Sequence, residues 1–294
     1  MDLLSIDSLT DTQIATIHDR ARYWFSENRQ GDWHHNLAGK LVFNVFYENS
    51  TRTLMSFATA AHRLGASVVT MPVEQSSVKK GESLEDTART LNAMRPDALV
   101  IRHGENGGPA AVAEIVDAPV INAGDGTNEH PTQALLDAAA IRQRRGGLEG
   151  LKIAICGDIG HSRVARSNAK LLPRLGAEVR LAGPPELMPD GIPLLSVDRA
   201  IEGADVVMML RVQRERLEHE LGDAPGEYLE RYGLTAARLA RAAPGALVMH
   251  PGPMNRGVEI DGAIADDPER SLIGLQVEMG VAVRMACLEM LVGA

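Results

Sequence analysis

The run Ser50-Thr51-Arg52-Thr53 places three hydroxyls and a guanidinium on four consecutive residues. If a helix starts there, Ser50 can cap it, and the amides of Thr51, Arg52 and Thr53 face the preceding loop. A positive helix end beside a forked guanidinium suits a phosphate. The same residues also make an ordinary N-cap with a surface arginine. Downstream, Lys79 and Lys80 sit side by side in the polar loop VEQSSVKKGES, and Arg102 follows the apolar run DALVI. The loop has a plain reading as a solvated connection, and Arg102 as an ion-pair partner. In NEHPTQ, His130 and Gln133 lie three residues apart, so at a helix start they aim an imidazole and a carboxamide at one polar group. A positioned imidazole can donate to a carbonyl oxygen as negative charge develops on it; the alternative is a structural capping histidine.

Later in the chain, Arg163 in GHSR and Arg211 with Gln213 in MLRVQ follow two further apolar runs. Arginines at two such places form grips for a dicarboxylate, or else pair with Glu215 and Glu218. In HPGPMNRG neither Pro251 nor Pro253 has a backbone N–H, so the turn can offer carbonyl oxygens to an incoming N–H group. Gly252-Pro253 is a candidate cis bond.

These residues need a frame, and apolar periodicity supplies one. Thr10 to Gln13 has capping-box spacing ahead of a helix with Ile14, Ile17, Ala21 and Trp24 on one face. The strand LVFNVF follows, then a helix over 51–64 closed by Gly65. Next come the strand SVVTM, a helix over 83–94, the strand DALVI, a helix near Ala110 and the strand PVINAG. A helix from Pro131 to Arg145, stopped by Gly146 and Gly147, closes the first domain at residue 145. The rhythm restarts in residues 146–294 with LKIAIC, a helix after Ser162, EVRLAG, a helix near Val197, DVVMML, the charged stretch RERLEHEL and ALVMH. A final helix over 275–291 is long enough to pack back on the first domain. Strand and helix in alternation predict an α/β protein of two doubly wound parallel-sheet domains joined by an interdomain helix. In such sheets ligands sit beyond the carboxyl ends of strands, where every residue singled out above falls.

Composition bounds the rest. A length of 294 residues suits two domains, and a net charge of −9 argues against a nucleic-acid binder. No apolar run approaches a membrane span, and the N-terminus lacks a signal-peptide profile, so a cytoplasmic location is expected. Cys156 and Cys287 support neither a disulfide framework nor a metal cluster and are expected as buried thiols. Arginines outnumber lysines 25 to 5, which makes the paired lysines conspicuous.

Taken together and in order, FYENSTRT, SVKKGE, Arg102, HPTQ, GHSR, RVQRERL and HPGPMNRG closely resemble the catalytic chains of the aspartate carbamoyltransferase family, within the aspartate/ornithine transcarbamoylases. STRT and HPTQ mark transcarbamoylases in general; RVQ and HPGPxNRG resemble the aspartate enzymes rather than those using ornithine. The resemblance implies that Ser50, Thr51, Arg52, Thr53 and Arg102 bind the phosphate of carbamoyl phosphate. It implies that Thr53, Arg102 and His130 address the carbonyl oxygen, and that Gln133 with the Pro251–Pro253 turn holds the carbamoyl amino group. Arg163, Arg211 and Gln213 would take L-aspartate. Lys80, with Ser76 or Ser77, would reach into a neighbouring subunit's site in a homotrimer with shared active sites, and Glu48 and Arg216 would join interdomain ion pairs. The resemblance implies no metal and no cofactor, and leaves regulatory chains or a dihydroorotase as open partners.

Two other readings are weaker. A dinucleotide oxidoreductase fails on GDIGHS, which lacks the third glycine of the phosphate-binding fingerprint, and no acidic residue ends the next strand. A catalytically silent scaffold subunit is at odds with the presence of every motif residue. Within the enzyme class the rival acceptor is ornithine.

Overall fold

A computed structural model describes residues 1–31, 34–71, 73, 77–212 and 225–293. Its backbone forms two compact units, Met1–Ala139 with Val277–Ala294, and Ala140–Gln276.

The first unit opens with α1 (Asp11–Gln30), whose Thr10/Gln13 capping box is present on both sides and whose buried face carries Ile14, Ile17, Ala21 and Trp24. Then follow β1 (Leu41–Phe46), α2 (Thr51–Arg63), β2 (Ser67–Met71), a 3₁₀ turn (Ser77–Lys80) and α3 (Leu84–Ala93). The unit continues with β3 (Ala98–His103), α4 (Gly108–Ala113), β4 (Val120–Asp125) and the start of α5 (Pro131–Arg145). The four strands are parallel in the order β2-β1-β3-β4. Val42 to Phe46 of β1 are all buried, as expected where helices cover both faces of a parallel sheet. One face carries Phe43, Val45, Leu99, Ile101 and Val120.

The second unit holds β5 (Lys152–Cys156), α6 (Arg163–Arg174), β6 (Glu178–Ala182), a 3₁₀ turn (Pro185–Leu187), α7 (Val197–Ile201) and β7 (Val206–Met209). It ends with α8 (Pro225–Arg231), α9 (Ala236–Leu239), β8 (Leu247–Met249) and α10 (Gly262–Ala265). Its strands are again parallel, in the order β6-β5-β7-β8. Ala154, Cys156, Val207, Met209 and Val248 lie in its core with Ile201, Leu234 and Ile260. The charged stretch 214–221, expected as helical, lies outside the described residues.

The last element, α11 (Ile273–Val292), belongs to the first unit from Val277 onward. There Glu289 accepts hydrogen bonds from Arg20 Nε (2.8 Å) and Nη2 (2.7 Å), Trp24 Nε1 (3.0 Å) and Asn36 Nδ2 (2.8 Å). The architecture is the expected one of two parallel-sheet α/β domains. Among the described residues no helix is long and apolar enough to cross a membrane.

Candidate active site

In the first unit β1 has β2 on one side and β3 on the other, so connections leave the carboxyl ends of β1 and β3 in opposite directions. A crevice opens at such a switch point. Phe46 and Arg102 are register partners at that edge, and Tyr47 N donates to Arg102 O at 2.9 Å. The start of α2 is thereby held beside the Arg102 strand end.

Ser50 occupies the N-cap position of α2, but against the sequence expectation its side chain makes no capping hydrogen bond. The reason is its backbone. Ser50 has φ −156°, whereas Thr10, Ser83, Ser162 and Ser196, which do cap their helices, have φ between −67° and −99°. The amides of the first turn of α2 therefore receive nothing from the Ser50 hydroxyl, while Leu54 N bonds Ser50 O at 3.0 Å. Thr51 and Arg52 are exposed and Thr53 is buried.

Thr53 Oγ1 lies 3.5 Å from His130 Nε2, which joins the start of α2 to the start of α5. His130 precedes α5, and its carbonyl accepts from Gln133 N at 2.9 Å, so both side chains issue from one turn. The loop before it is fixed by Asp125, which is 1% exposed. Its two oxygens accept from Asn122 Nδ2 (2.8 Å), Glu129 N (3.1 Å), Gly107 N (2.7 Å) and Asn128 Nδ2 (3.0 Å).

Gln133 Nε2 donates to Asp137 Oδ1 at 2.9 Å. An ionised carboxylate can only accept, so the amide nitrogen must face Asp137 and Oε1 is left to receive an N–H. Arg102 is 8% exposed; Nη1 donates to Ala123 O at 3.2 Å and Nη2 to Glu48 Oε1 at 2.5 Å. Glu48 thus has a partner inside its own unit, while Arg216 is outside the described residues. Lys80 is exposed, and among the described residues no hydrogen bond ties it to this group; Ser76 is outside the described residues, and nothing is described of the Ser77 side chain.

In the second unit the switch point lies between β5 and β7. Leu210 N donates to Cys156 O at 2.8 Å as the two strands end. Gly157 has φ +131°, and a Cβ there would lie 2.8 Å from Leu210 O, so this exit requires glycine. Arg163 is the first residue of α6, where Ser162 Oγ accepts from Ala165 N at 3.1 Å, and Arg211 follows β7 exposed to solvent. Gln213 is outside the described residues.

The turn after β8 is rigid for reasons beyond its prolines. His250 Nδ1 accepts from Gly252 N at 2.8 Å, so the ring proton sits on Nε2 and points at Glu259 Oε1, 3.2 Å away. Glu259 also accepts from Asn255 N (2.5 Å), and Asn255 Nδ2 donates to Val212 O (3.1 Å), next to Arg211. The Gly252-Pro253 bond is cis, as the sequence suggested.

Sequence reading missed Asp125, Asp137 and Glu259. All three are buried carboxylates, and Asp137 carried a visible signal: a charge within the apolar run ALLDAAAI.

A family model for the aspartate/ornithine carbamoyltransferase carbamoyl-phosphate-binding domain matches residues 1–143, and one for the aspartate/ornithine-binding domain of the same family matches residues 149–291. The aspartate carbamoyltransferase catalytic subunit of Rhizorhabdus wittichii is 57% identical over 296 residues, covering 98% of this chain and 94% of that one. Among solved structures, the aspartate transcarbamoylase of Trypanosoma cruzi in complex with carbamoyl aspartate and phosphate is 32% identical. It superposes with a TM-score of 0.87, over 98% of this chain and 94% of its own. The ornithine carbamoyltransferase of Pyrococcus furiosus, 28% identical, has a TM-score of 0.89 over 100% of this chain and 97% of its own. Two domain matches and the identity across almost the whole length place the chain in the aspartate/ornithine carbamoyltransferase family.

Proposed function

We propose that this chain is the catalytic chain of an aspartate carbamoyltransferase, converting carbamoyl phosphate and L-aspartate to N-carbamoyl-L-aspartate and phosphate, an early step of pyrimidine biosynthesis. The observation that carries the reading is the contact of Thr53 with His130 at the start of α2, a helix that the Ser50 hydroxyl does not cap and that follows the strand paired with the Arg102 strand end. Residues 1–145 take carbamoyl phosphate and residues 146–294 take aspartate.

Ser50 to Thr53 and Arg102 hold the phosphate. The Oε1 of Gln133 and the carbonyls of Pro251 and Gly252 receive the carbamoyl N–H groups. The neutral amine of aspartate attacks the carbamoyl carbon, forming the C–N bond, while His130, Arg102 and Thr53 donate to the oxygen that gains charge. The C–O bond to phosphate then breaks, and the departing phosphate takes a proton from the amine. Orientation and electrostatics supply the rate. Arg163, Arg211 and Gln213 grip the two carboxylates.

The chain works in the cytoplasm as a homotrimer in which Lys80, with Ser76 or Ser77, completes a neighbour's site. An exposed edge strand supports association: Val69 of β2 is 49% exposed. Ornithine is the competing acceptor, and the Pyrococcus furiosus likeness shows that the fold alone admits it. The two arginines favour a dicarboxylate over an amino acid with a cationic side chain. Phosphate release is measured with carbamoyl phosphate and either amino acid: release with aspartate and none with ornithine is expected, and the reverse pattern would overturn the reading.

A further inference from the structure

Inside α11, Arg284 interrupts the apolar run VAVRMACL, and it is only 3% exposed. A leucine or methionine would fill such a place at far lower cost, because burying a guanidinium is expensive unless an anion compensates it. No carboxylate forms a salt bridge with Arg284 among the described residues. Its Nη1 donates instead to Ser56 Oγ at 2.6 Å and, at 3.4 Å, to Gly280 O, and the guanidinium carbon lies 4.9 Å from the centre of the Phe57 ring. Ser56 Oγ in turn donates to Thr53 O at 3.3 Å. The chain of contacts therefore runs from the C-terminal helix to the first turn of the anion-binding helix.

The space for this cation is made by glycine. A Cβ on Gly280 would lie 2.8 Å from Arg284 Nη1, so an alanine here, though better for the helix, would displace the guanidinium.

We propose that Arg284 is a positioning residue for the phosphate subsite: through Ser56 it fixes the Thr53 turn, and its charge finds its compensating anion in the phosphate of the bound substrate. Burial pulls the Arg284 pKa down to about 10, Cys287 and Asp137 work to raise it, and nearby Arg102 opposes them, so the group is still a cation at neutral pH. Arg102 and Arg284 thus repel one another, and an anion relieves both. Ser56 is one helical turn from Thr53, a rise of about 5 Å, which puts the charge roughly 10 Å from a phosphate at the helix start. At an effective dielectric constant of about 20 that separation corresponds to on the order of tenfold in affinity.

The inference rests on the proposed carbamoyl-phosphate site, and one experiment separates the two. Calorimetric Kd values for carbamoyl phosphate and for inorganic phosphate are measured on the full chain and on Arg284→Met, Arg284→Lys and Gly280→Ala, with the KM for aspartate at saturating carbamoyl phosphate. Binding of both phosphates should weaken about tenfold in Arg284→Met and by several-fold in Gly280→Ala, recover in Arg284→Lys, and leave the aspartate KM unchanged. Affinities within twofold of the unmodified chain in Arg284→Met and Gly280→Ala would overturn the role; should Arg284→Met fail to fold, Gly280→Ala decides alone. An unmodified chain that bound neither ligand would overturn the functional reading, and this inference with it.

Discussion

Gln133 shows how a single side chain acquires a direction. Its spacing from His130 places both on one turn, but the carboxylate of Asp137 decides which amide atom faces outward. His130 is the partner expected to donate to the carbonyl oxygen. Removing one such donor costs on the order of 10²- to 10³-fold in turnover, so His130→Ala should lose that much in kcat; undiminished steady-state turnover would dismiss the role. Arg211 is exposed just after β7. Losing a charged hydrogen bond is worth roughly 10- to 100-fold, so Arg211→Ala should raise the aspartate KM by about that factor and leave carbamoyl phosphate binding intact, as read from saturation curves in each substrate. The residues with exposed or ligand-facing chemistry were legible in the sequence because several carry charge just after a strand. Asp125, Asp137 and Glu259 were not, because a carboxylate that serves buried amides has no local pattern; its partners are Gly107, Gln133 and His250, at unrelated distances along the chain.

Among the elements, α2 and α11 depart most from ordinary helices. The N-cap of α2 withholds its hydroxyl from the first-turn amides, a destabilising choice in isolation that suits a helix start meant for a ligand. The last helix carries three polar groups that anchor it within the first unit, Glu278 at Arg29, Arg284 at Ser56 and Glu289 at Arg20, Trp24 and Asn36. Glu289→Ala leaves the buried Trp24 Nε1 without its acceptor, and should destabilise the first unit by about 2 kcal/mol in urea denaturation. A shift of the midpoint too small to measure would mean that water replaces the carboxylate. Helix and strand positions followed from periodicity and residue type: the sequence placed LVFNVF, SVVTM and Pro131–Arg145 where the structure has them, SVVTM by its β-branched residues, since none of its side chains is buried. Capping at Ser50 was misjudged because φ of that residue is set by the strand-to-helix path, which residue type does not report.

For the molecule as a whole, both thiols are out of play. Burial pushes Cys156 and Cys287 up to about 12, which leaves a thiolate fraction of only about one part in ten thousand at pH 8. Neither should react with a chromogenic disulfide reagent until the chain is unfolded, and rapid reaction of the native protein would contradict their burial. The proposed trimer makes a further prediction. If Lys80 serves a neighbour's site, mixing Lys80→Ala with Arg52→Ala chains should restore activity that neither has alone, because some sites then draw both residues from unmodified copies; no recovery in the phosphate-release assay would argue for self-contained sites. By itself the sequence determined the α/β class, the order of elements and the groups with chemistry to offer, since periodicity and residue type are local properties. Only the tertiary structure decided which strand ends are neighbours. The orders β2-β1-β3-β4 and β6-β5-β7-β8 put one switch point between β1 and β3 and the other between β5 and β7. That adjacency gathers Thr53, Arg102 and His130 in one unit and sets the Arg163 and Arg211 strand ends side by side in the other. It arises from pairing between strands far apart in sequence, which no local pattern encodes.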